Sequence, residues 1–457
     1  MDHYAAFFQS VLHPAWETYF RNRPTLSHLA TLRQTQWQSL DELTAFQMCE
    51  LSALLRHAQE NVPYYRDAMG AAGVGAPDFR TPDDIRKLPL LSRDLARDSA
   101  QARTALASPF PTIRKTTSGS SGNPLVFGYD AGSEAWRQAI KLRGYEWAGY
   151  RPGDRVLHYW GPPPRPRPPL GKRLKIAVDR AIRREHYLDC VSQDDAHLLE
   201  AVKMIRSQHP KVIVCYAKSG GTLARFIVER GLRDWDRTIP VICGAEPLFP
   251  EDRALMNRAF GNAVFDTYGC RETMLIASEC SRHEGLHVSM ENILVEILVI
   301  GVDGSQRPAN PGEVGNVVIT DLHNLGQPLV RYVNGDLAVA GDNSLCGCGR
   351  SIPRIKSVDG RVTEALTDGR GGRVQGMYFC TIMVPLAHAV RRYKATQHKD
   401  RAITLQIVPT EEFGDDTARI LRDNISRAIP GVPLKIELVD SIPSAASGKA
   451  RSVVVEH

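Results

Sequence analysis

Between residues 150 and 270 short apolar runs alternate with stretches of helical spacing, and no other feature of the sequence restricts the fold as much. DRVLHYW, KVIVCY, IPVICG and NAVFDTYG each read as a buried strand. DAHLLEAVKMIRSQ and SGGTLARFIVERGL, which lie between them, read as helices. Strand–helix alternation predicts an α/β domain with parallel pairing. Ligands in such sheets gather at the carboxyl ends of the strands. The residues that close each apolar run are therefore the first candidates for a site.

On either side the pattern changes. Residues 1 to 110 read mainly as helices: MCELSALLRHAQENVPYYRDAM has helical spacing, and Ser92 is placed to cap SRDLARDSA. From Leu294 to Val339, ILVEILVI, EVGNVVIT and PLVRYVNGDLAVA read as strands separated by Gly, Asn and Pro turns, which predicts a mostly antiparallel β subdomain. After Gly360-Arg361 a smaller unit of about 95 residues begins. There AITLQIVP, DDTARILRDNISRAI and LKIELVD predict a compact α+β fold. No internal repeat is present. The expected class is a multi-domain α/β protein.

Bulk properties exclude several functions. The chain has 457 residues, 43% hydrophobic and 24% charged, as expected of a globular protein with a sizeable core. No run of 18 apolar residues offers a membrane span. MDHYAAFFQSVLHPAWETYF lacks a basic leader and a small-residue cleavage site, and reads as a helix of the mature protein. Nine scattered cysteines do not form a disulfide framework, so a reducing cytoplasm is the expected compartment. No zinc-finger, homeodomain or RNP signature points to nucleic acid. Much of the net charge of +6 sits in Arg165–Glu185, with eight Lys or Arg against two acids. Leu174, Ala177, Val178, Ala181 and Ile182 there follow helical spacing. This basic amphipathic segment has two readings: a solvated surface helix, or a helix that docks on an anionic surface in a peripheral membrane contact.

KTTSGSSGNPLVF, Lys115 to Phe127, places hydroxyls and glycines just ahead of a strand. A solvent turn would use such residues. So would a loop that wraps phosphate oxygens, where hydroxyls and backbone N–H groups donate and glycine permits close approach. It is not a Walker A loop, because no Gly-Lys-Ser/Thr closes it. Four more stretches follow in order: GAEPL (Gly244–Leu248), DTYGCRE (Asp266–Glu272), RYVNGD (Arg331–Asp336) and SGKARSV (Ser447–Val453). Together the five resemble the motifs of the acyl-adenylate-forming superfamily, and most of all its phenylacetate–CoA ligase-like branch with the related capsular-polysaccharide-associated proteins.

The resemblance implies a large N-terminal ATP- and acyl-binding domain, residues 1–360, and a mobile C-terminal lid, residues 361–457. It implies that Thr116, Thr117, Ser118, Gly119, Ser120 and Gly122 hold the β- and γ-phosphates of ATP. Gly244, Ala245 and Glu246 would line the adenine pocket, Tyr268 would stack its aromatic face on the purine, and Gly269 would leave room for its close approach. Asp336 would accept both ribose hydroxyls, with Arg361 at the hinge beside them. Glu272 would hold Mg²⁺, and Lys449 would bring an ammonium to the carboxylate and α-phosphate. Arg271 stands where the superfamily often has Thr, and Val362-Thr363-Glu364 follow the hinge pair in place of its usual Asp or Lys pivot.

ECSRHEGLH (Glu279–His287) and CGCGR (Cys346–Arg350) form a second cluster. Two cysteines one residue apart, with a distant Cys and His, can make a Cys₃His zinc site. Similar residues form a structural zinc site in some phenylacetate-ligase-like proteins. The implied ligands are Cys280, His287, Cys346 and Cys348. His283 competes for the histidine position and spacing does not decide between the two. Thiols without metal are the alternative.

The implied activity is ATP-dependent, AMP-forming ligation of a carboxylic acid, with the acyl group passing to CoA. A carrier-protein thiol, an amine or a sugar hydroxyl is the alternative acceptor, and a non-catalytic nucleotide-binding relative is the third reading. Tyr159, Trp160 and Tyr216 close predicted strands and point either to a flat, aromatic acid or to ordinary core packing.

Overall fold

The structure is a computed structural model that describes residues 2–116, 125–161, 169–190, 192–301, 304–361, 366–371, 373–374, 379, 382–383, 386, 388–442 and 453–456. Five parallel strands form its α/β part: β3 (Val156–Trp160), β4 (Glu185–Asp189), β5 (Val212–Tyr216), β6 (Val241–Gly244) and β7 (Val264–Cys270). An earlier antiparallel pair, β1 (Thr112–Thr116) and β2 (Val126–Asp130), stands apart as its own two-stranded sheet. The parallel strands lie in the order β4-β3-β5-β6-β7. The chain leaves β3 for the edge and crosses back to β5, so a crevice opens at the carboxyl ends of β3 and β5.

Strand alternation fills both faces. Ile213 and Cys215 of β5 point into a core with Leu198, Val202 and Ile205 of the Asp195–Gln208 helix, Leu223 and Ile227 of the Ala217–Glu229 helix, and Met256 and Phe260 of the Pro250–Phe260 helix. Val212 and Val214 point the other way, toward Val156, Ile242 and Phe265 and the end of the Ala131–Trp147 helix. Burial on both faces is why these strands read as unbroken apolar runs. β4 carries no such run. It is an edge strand, half-exposed, and escapes hydrophobic patterning.

The β region is not a separate sheet, as a subdomain would suggest. β8 (Met274–Glu279), β9 (Leu286–Val288), β10 (Ile293–Ile300), β11 (Gln306–Pro308), β12 (Val314–Asp321), β13 (Tyr332–Ala340) and β14 (Arg354–Arg361) continue the parallel half into twelve strands, ordered β11-β10-β12-β13-β14-β9-β8-β7-β6-β5-β3-β4. β7 makes the junction. Its Val264–Asp266 portion pairs with β6 in parallel, and Thr267–Cys270 pairs with β8 antiparallel. Two buried ion pairs tie the Ala131–Trp147 helix to this antiparallel half, Arg137–Asp321 and Arg143–Glu291, both at 2.5 Å. Removing one partner of such a pair leaves an uncompensated buried charge and costs about 3–5 kcal/mol.

Beyond β14, β15 (Leu366–Thr367) and β16 (Arg373–Val374) pair with each other. β17 (Val390–Gln397), β18 (Ile403–Pro409), β19 (Leu434–Leu438) and β20 (Val453–Val455) form a second sheet in the order β19-β18-β17-β20. Leu421 and Ile425 of the Asp415–Ala428 helix pack on it with Leu405 and Ile407. This is the expected compact α+β unit with its own core. The basic segment forms the Leu170–Arg183 helix, shorter than the Arg165–Glu185 stretch, and ends where Arg184 takes a left-handed backbone (φ 57°). Among the described residues no helix is long and apolar enough to cross a membrane.

Candidate active site and metal centre

The tail of β7 and one face of β13 build the candidate active site. Tyr332, Asn334 and Asp336 alternate along β13 and share one buried face. Three strands, β8, β9 and β14, separate β13 from β7 in the sheet. The sheet nevertheless curls enough for their side chains to meet. Tyr268 Oη donates to Asp336 Oδ2 at 2.9 Å. Asn334 Nδ2 donates to the same carboxylate oxygen at 2.9 Å and to Tyr268 Oη at 2.7 Å. Tyr332 Oη donates to Glu272 Oε1 at 3.1 Å. Burial, then the adjacent Asp336 carboxylate, pushes the Tyr268 phenol well above its ordinary pKa. Burial and Glu272 do the same to Tyr332. Both hydroxyls therefore stay protonated and keep donating at neutral pH.

The sequence-predicted residues converge in part. Asp336 lies directly opposite Arg361 in the β13–β14 register, so the expected ribose acid and hinge residue are neighbours. Glu272, buried in the turn after β7, lies 3.9 Å from Arg93 Nη1. Leu125, just before β2, and Phe127, within it, pack with Tyr332, which brings the start of β2 toward Glu272. Thr116 is exposed at the end of β1 and pairs with Val126. Thr117, Ser118, Gly119, Ser120, Gly122 and Lys449 lie outside the described residues, as does the side chain of Arg361.

Gly244 closes β6, and Ala245 follows with a left-handed backbone (φ 67°), a strained choice for a residue with a side chain. A Cβ at Gly244 would meet Thr267 Oγ1 at 3.0 Å and the Trp160 ring at 3.4 Å. Trp160 meets Tyr216 edge to face at 4.6 Å, so the ends of β3, β5 and β6 share one aromatic wall. Glu246 Oε2 accepts from the Lys218 backbone N–H at 3.2 Å. Tyr159 departs from its neighbours: it is fully buried in the helix-side core and is a packing residue. Gly269 has a reason of its own. A Cβ there would come within 2.0 Å of the Met274 carbonyl oxygen, so the β7–β8 return demands glycine whatever binds nearby. The Tyr268 ring itself packs with Ile276, Ala277, Val288 and Ile319 in the curl of the sheet.

Asn334, Tyr332 and Arg93 are the site residues that sequence reasoning missed. The first two were within reach, since i, i+2, i+4 spacing in RYVNGD places them on the face of Asp336. Nothing local marks Arg93.

The cysteines and histidine come together at the far end of β8. Ligand atoms of Cys280, His287, Cys346 and Cys348 all lie within 4.8 Å of one another. Cys280 Sγ is 3.8 Å from Cys346 Sγ, and Cys348 Sγ is 3.5 Å from His287 Nε2. A tetrahedral zinc with Zn–S about 2.3 Å and Zn–N about 2.0–2.1 Å sets its ligand atoms about 3.8 and about 3.5 Å apart. His287 Nδ1 lies 3.0 Å from the Ile352 carbonyl, which fixes its proton there and leaves Nε2 to the cluster. Burial lowers the His287 pKa to about 4. The ring is therefore neutral, as a ligand must be. The residues fit the ion. His283 turns away: its Nδ1 sits 3.2 Å from Glu279, which also pairs with Arg253.

Residues 366–456 match the family model of the CapK C-terminal domain. A phenylacetate–coenzyme A ligase of Thermus thermophilus is 25% identical over 443 residues, covering 91% of this chain and 96% of that protein. One from Escherichia coli is 27% identical over 356 residues, covering 72% and 73%. The fold matches crystal structures of 2-hydroxyisobutyryl-CoA ligase at 19% identity. In its postadenylation state with 2-HIB-AMP the TM-score is 0.74, over 93% of this chain and 92% of that one. In its thioesterification state with 2-HIB-AMP and CoA the TM-score is 0.58 over the same shares. Over most of its length the chain is thus similar to phenylacetate–coenzyme A ligases, it shares the fold of 2-hydroxyisobutyryl-CoA ligase, and its residues 366–456 match the CapK C-terminal domain.

Proposed function

We propose that this protein is an ATP-dependent, AMP-forming ligase that adenylates a carboxylic acid and passes the acyl group to CoA. The observation that carries the reading is the convergence of Tyr268, Asn334 and Asp336, with Glu272 and Tyr332 beside them, from motifs more than sixty residues apart. A carboxylate is a poor acyl donor because oxide would have to leave. In the proposed first step a carboxylate oxygen bonds to the α-phosphorus of ATP, and the bond to the bridging oxygen breaks as pyrophosphate departs. In the second the CoA thiolate adds to the acyl carbonyl and AMP leaves.

The residues divide this work. Asp336, already an acceptor for two donors, would take the ribose hydroxyls. Gly244, Ala245, Glu246 and the β7 tail would hold the adenine. The loop from Thr116 to Gly122 would donate to the outer phosphates, and Lys449 would stabilise charge on the transferring group. Glu272 would hold Mg²⁺, which needs few protein carboxylates when phosphates complete its shell and which screens their charge when bound. The aromatic wall of Trp160 and Tyr216 favours a flat acid. We assign residues 1–360 to nucleotide and acyl binding and 361–457 to a lid that moves between the two steps. The better superposition on a postadenylation structure than on a thioesterification structure supports a movable unit. Cys280, His287, Cys346 and Cys348 would hold a structural zinc. Free thiols throughout the described chain suit the cytoplasm.

Carboxylate-dependent exchange of pyrophosphate into ATP, run across aryl, fatty and hydroxy acids, tests the first step. Thioester formation on adding CoA tests the second. Exchange with none of the acids, in protein shown to bind ATP, would contradict the reading.

A further inference from the structure

We propose that the Leu170–Arg183 helix docks the protein on an anionic lipid membrane, lying in the plane of the interface. An ordinary surface helix turns its apolar side inward. This one is inverted. Leu170, Leu174, Val178 and Ile182 are 77%, 66%, 50% and 43% exposed, and no residue of the helix is buried. With Ala177 and Ala181, also exposed, they occupy an arc of about 140° at about 100° per residue. The side held against the protein carries Ile176, Asp179, Arg180 and Arg183, each half-buried. Arg180 lies over the Tyr187 ring at 3.8 Å, and Arg183 Nε donates to Asp179 Oδ1 at 3.1 Å. Polar contacts therefore fasten the helix, and its apolar stripe faces outward.

Charge selects the occupant. The helix carries five Lys or Arg and one acid, and that acid is engaged by Arg183. Arg173 and Lys175 are exposed at the two edges of the stripe. In a symmetric dimer these cations would face their own copies, whereas an anionic headgroup layer neutralises them. Lysine and arginine stems can also lie along the apolar surface while their charges reach the headgroups. At about 21 Å the helix suits the interface rather than a span. The N-terminal helical segment extends the patch: Tyr4 Oη donates to the Ile182 carbonyl at 2.6 Å, Arg184 pairs with Asp2 at 2.7 Å, and Phe7 and Val11 are exposed beside it.

Flotation of the full chain with vesicles tests this, using phosphatidylcholine alone and phosphatidylcholine enriched in phosphatidylglycerol. Binding to the anionic vesicles, weakened by added salt, is expected. L174E/V178E should lower it about tenfold or more by removing apolar insertion. R173Q/K175Q should lower it about tenfold or more on anionic vesicles alone. Circular dichroism and pyrophosphate exchange in solution should match the parent in both variants. Binding to neither vesicle, equal binding to both, or an oligomer that L174E/V178E dissolves without changing vesicle binding would overturn the proposal.

Discussion

Tyr268 holds Asp336: its hydroxyl donates to Asp336 Oδ2 at 2.9 Å across three intervening strands, and Asn334 braces both groups. A hydrogen bond to a charged carboxylate contributes about 1.5–3 kcal/mol. Tyr268→Phe should therefore keep the fold, because the ring remains in its core, and raise the KM for ATP about tenfold or more. Steady-state kinetics with ATP varied will show it. An unchanged KM would mean that Asp336 does not need this donor to meet ribose.

The candidate metal centre separates two histidines four residues apart, His283 in the loop after β8 and His287 in β9. Purified protein should carry about one zinc per chain, and chelation should lower its unfolding temperature. His287→Ala and Cys348→Ser should lose the metal, while His283→Ala should keep it, since His283 faces Glu279. Elemental analysis of the three variants decides the matter. Zinc lost on replacing His283 but kept on replacing His287 would reverse the assignment.

Acid should destabilise the fold through buried histidines. His323 stacks on Trp136 at 4.1 Å between ring centroids, and its Nε2 sits 2.8 Å from the Glu291 carbonyl. Burial pushes its pKa down to about 4, against the opposing pull of the Glu291 carbonyl, Asp130 and the Glu291 carboxylate. His28, on the same tryptophan, is lowered to about 4 by burial and by His323. Below the unfolded value of about 6.5 the unfolded chain takes up protons that the folded chain refuses, so stability is full above that pH and is lost as pH falls toward 4. The slope from His323 approaches about 1.4 kcal/mol per pH unit inside that window. Denaturant midpoints at pH 7 and pH 5 should differ less in His323→Gln than in the parent.

Lys449→Ala should abolish most carboxylate-dependent pyrophosphate exchange. Loss of a cation in the transition state costs on the order of 3 kcal/mol, about a hundredfold in rate. Pyrophosphate has left before thioester formation, so the same variant should turn a synthetic acyl-adenylate and CoA into thioester at near the parent rate. Equal loss of both steps in folded protein would remove Lys449 from the assigned role.

What could be read in the sequence follows from how local each signal is. β5 and β6 were legible because both faces are buried and the apolar run is unbroken. β4 was not, because an edge strand with exposed positions carries no such run. The four candidate zinc ligands were identifiable by type, yet the choice of His287 depends on β9 carrying it back beside β14, opposite Arg354. Tyr268 and Asp336 could each be named from a motif, but their contact arises from the curl of a twelve-stranded sheet, which no short window encodes. Gly269 was read as room for a purine, whereas the Met274 carbonyl already requires it.

In the proposed first step a carboxylate oxygen attacks the α-phosphorus of ATP. Turnover of an acid labelled with ¹⁸O in its carboxyl group, with CoA and unlabelled ATP, followed by mass spectrometry of the nucleotide, tests that bond directly. One labelled oxygen should appear in AMP, with pyrophosphate unlabelled. Label in inorganic phosphate alongside ADP, or thioester formed with unlabelled AMP, would contradict it.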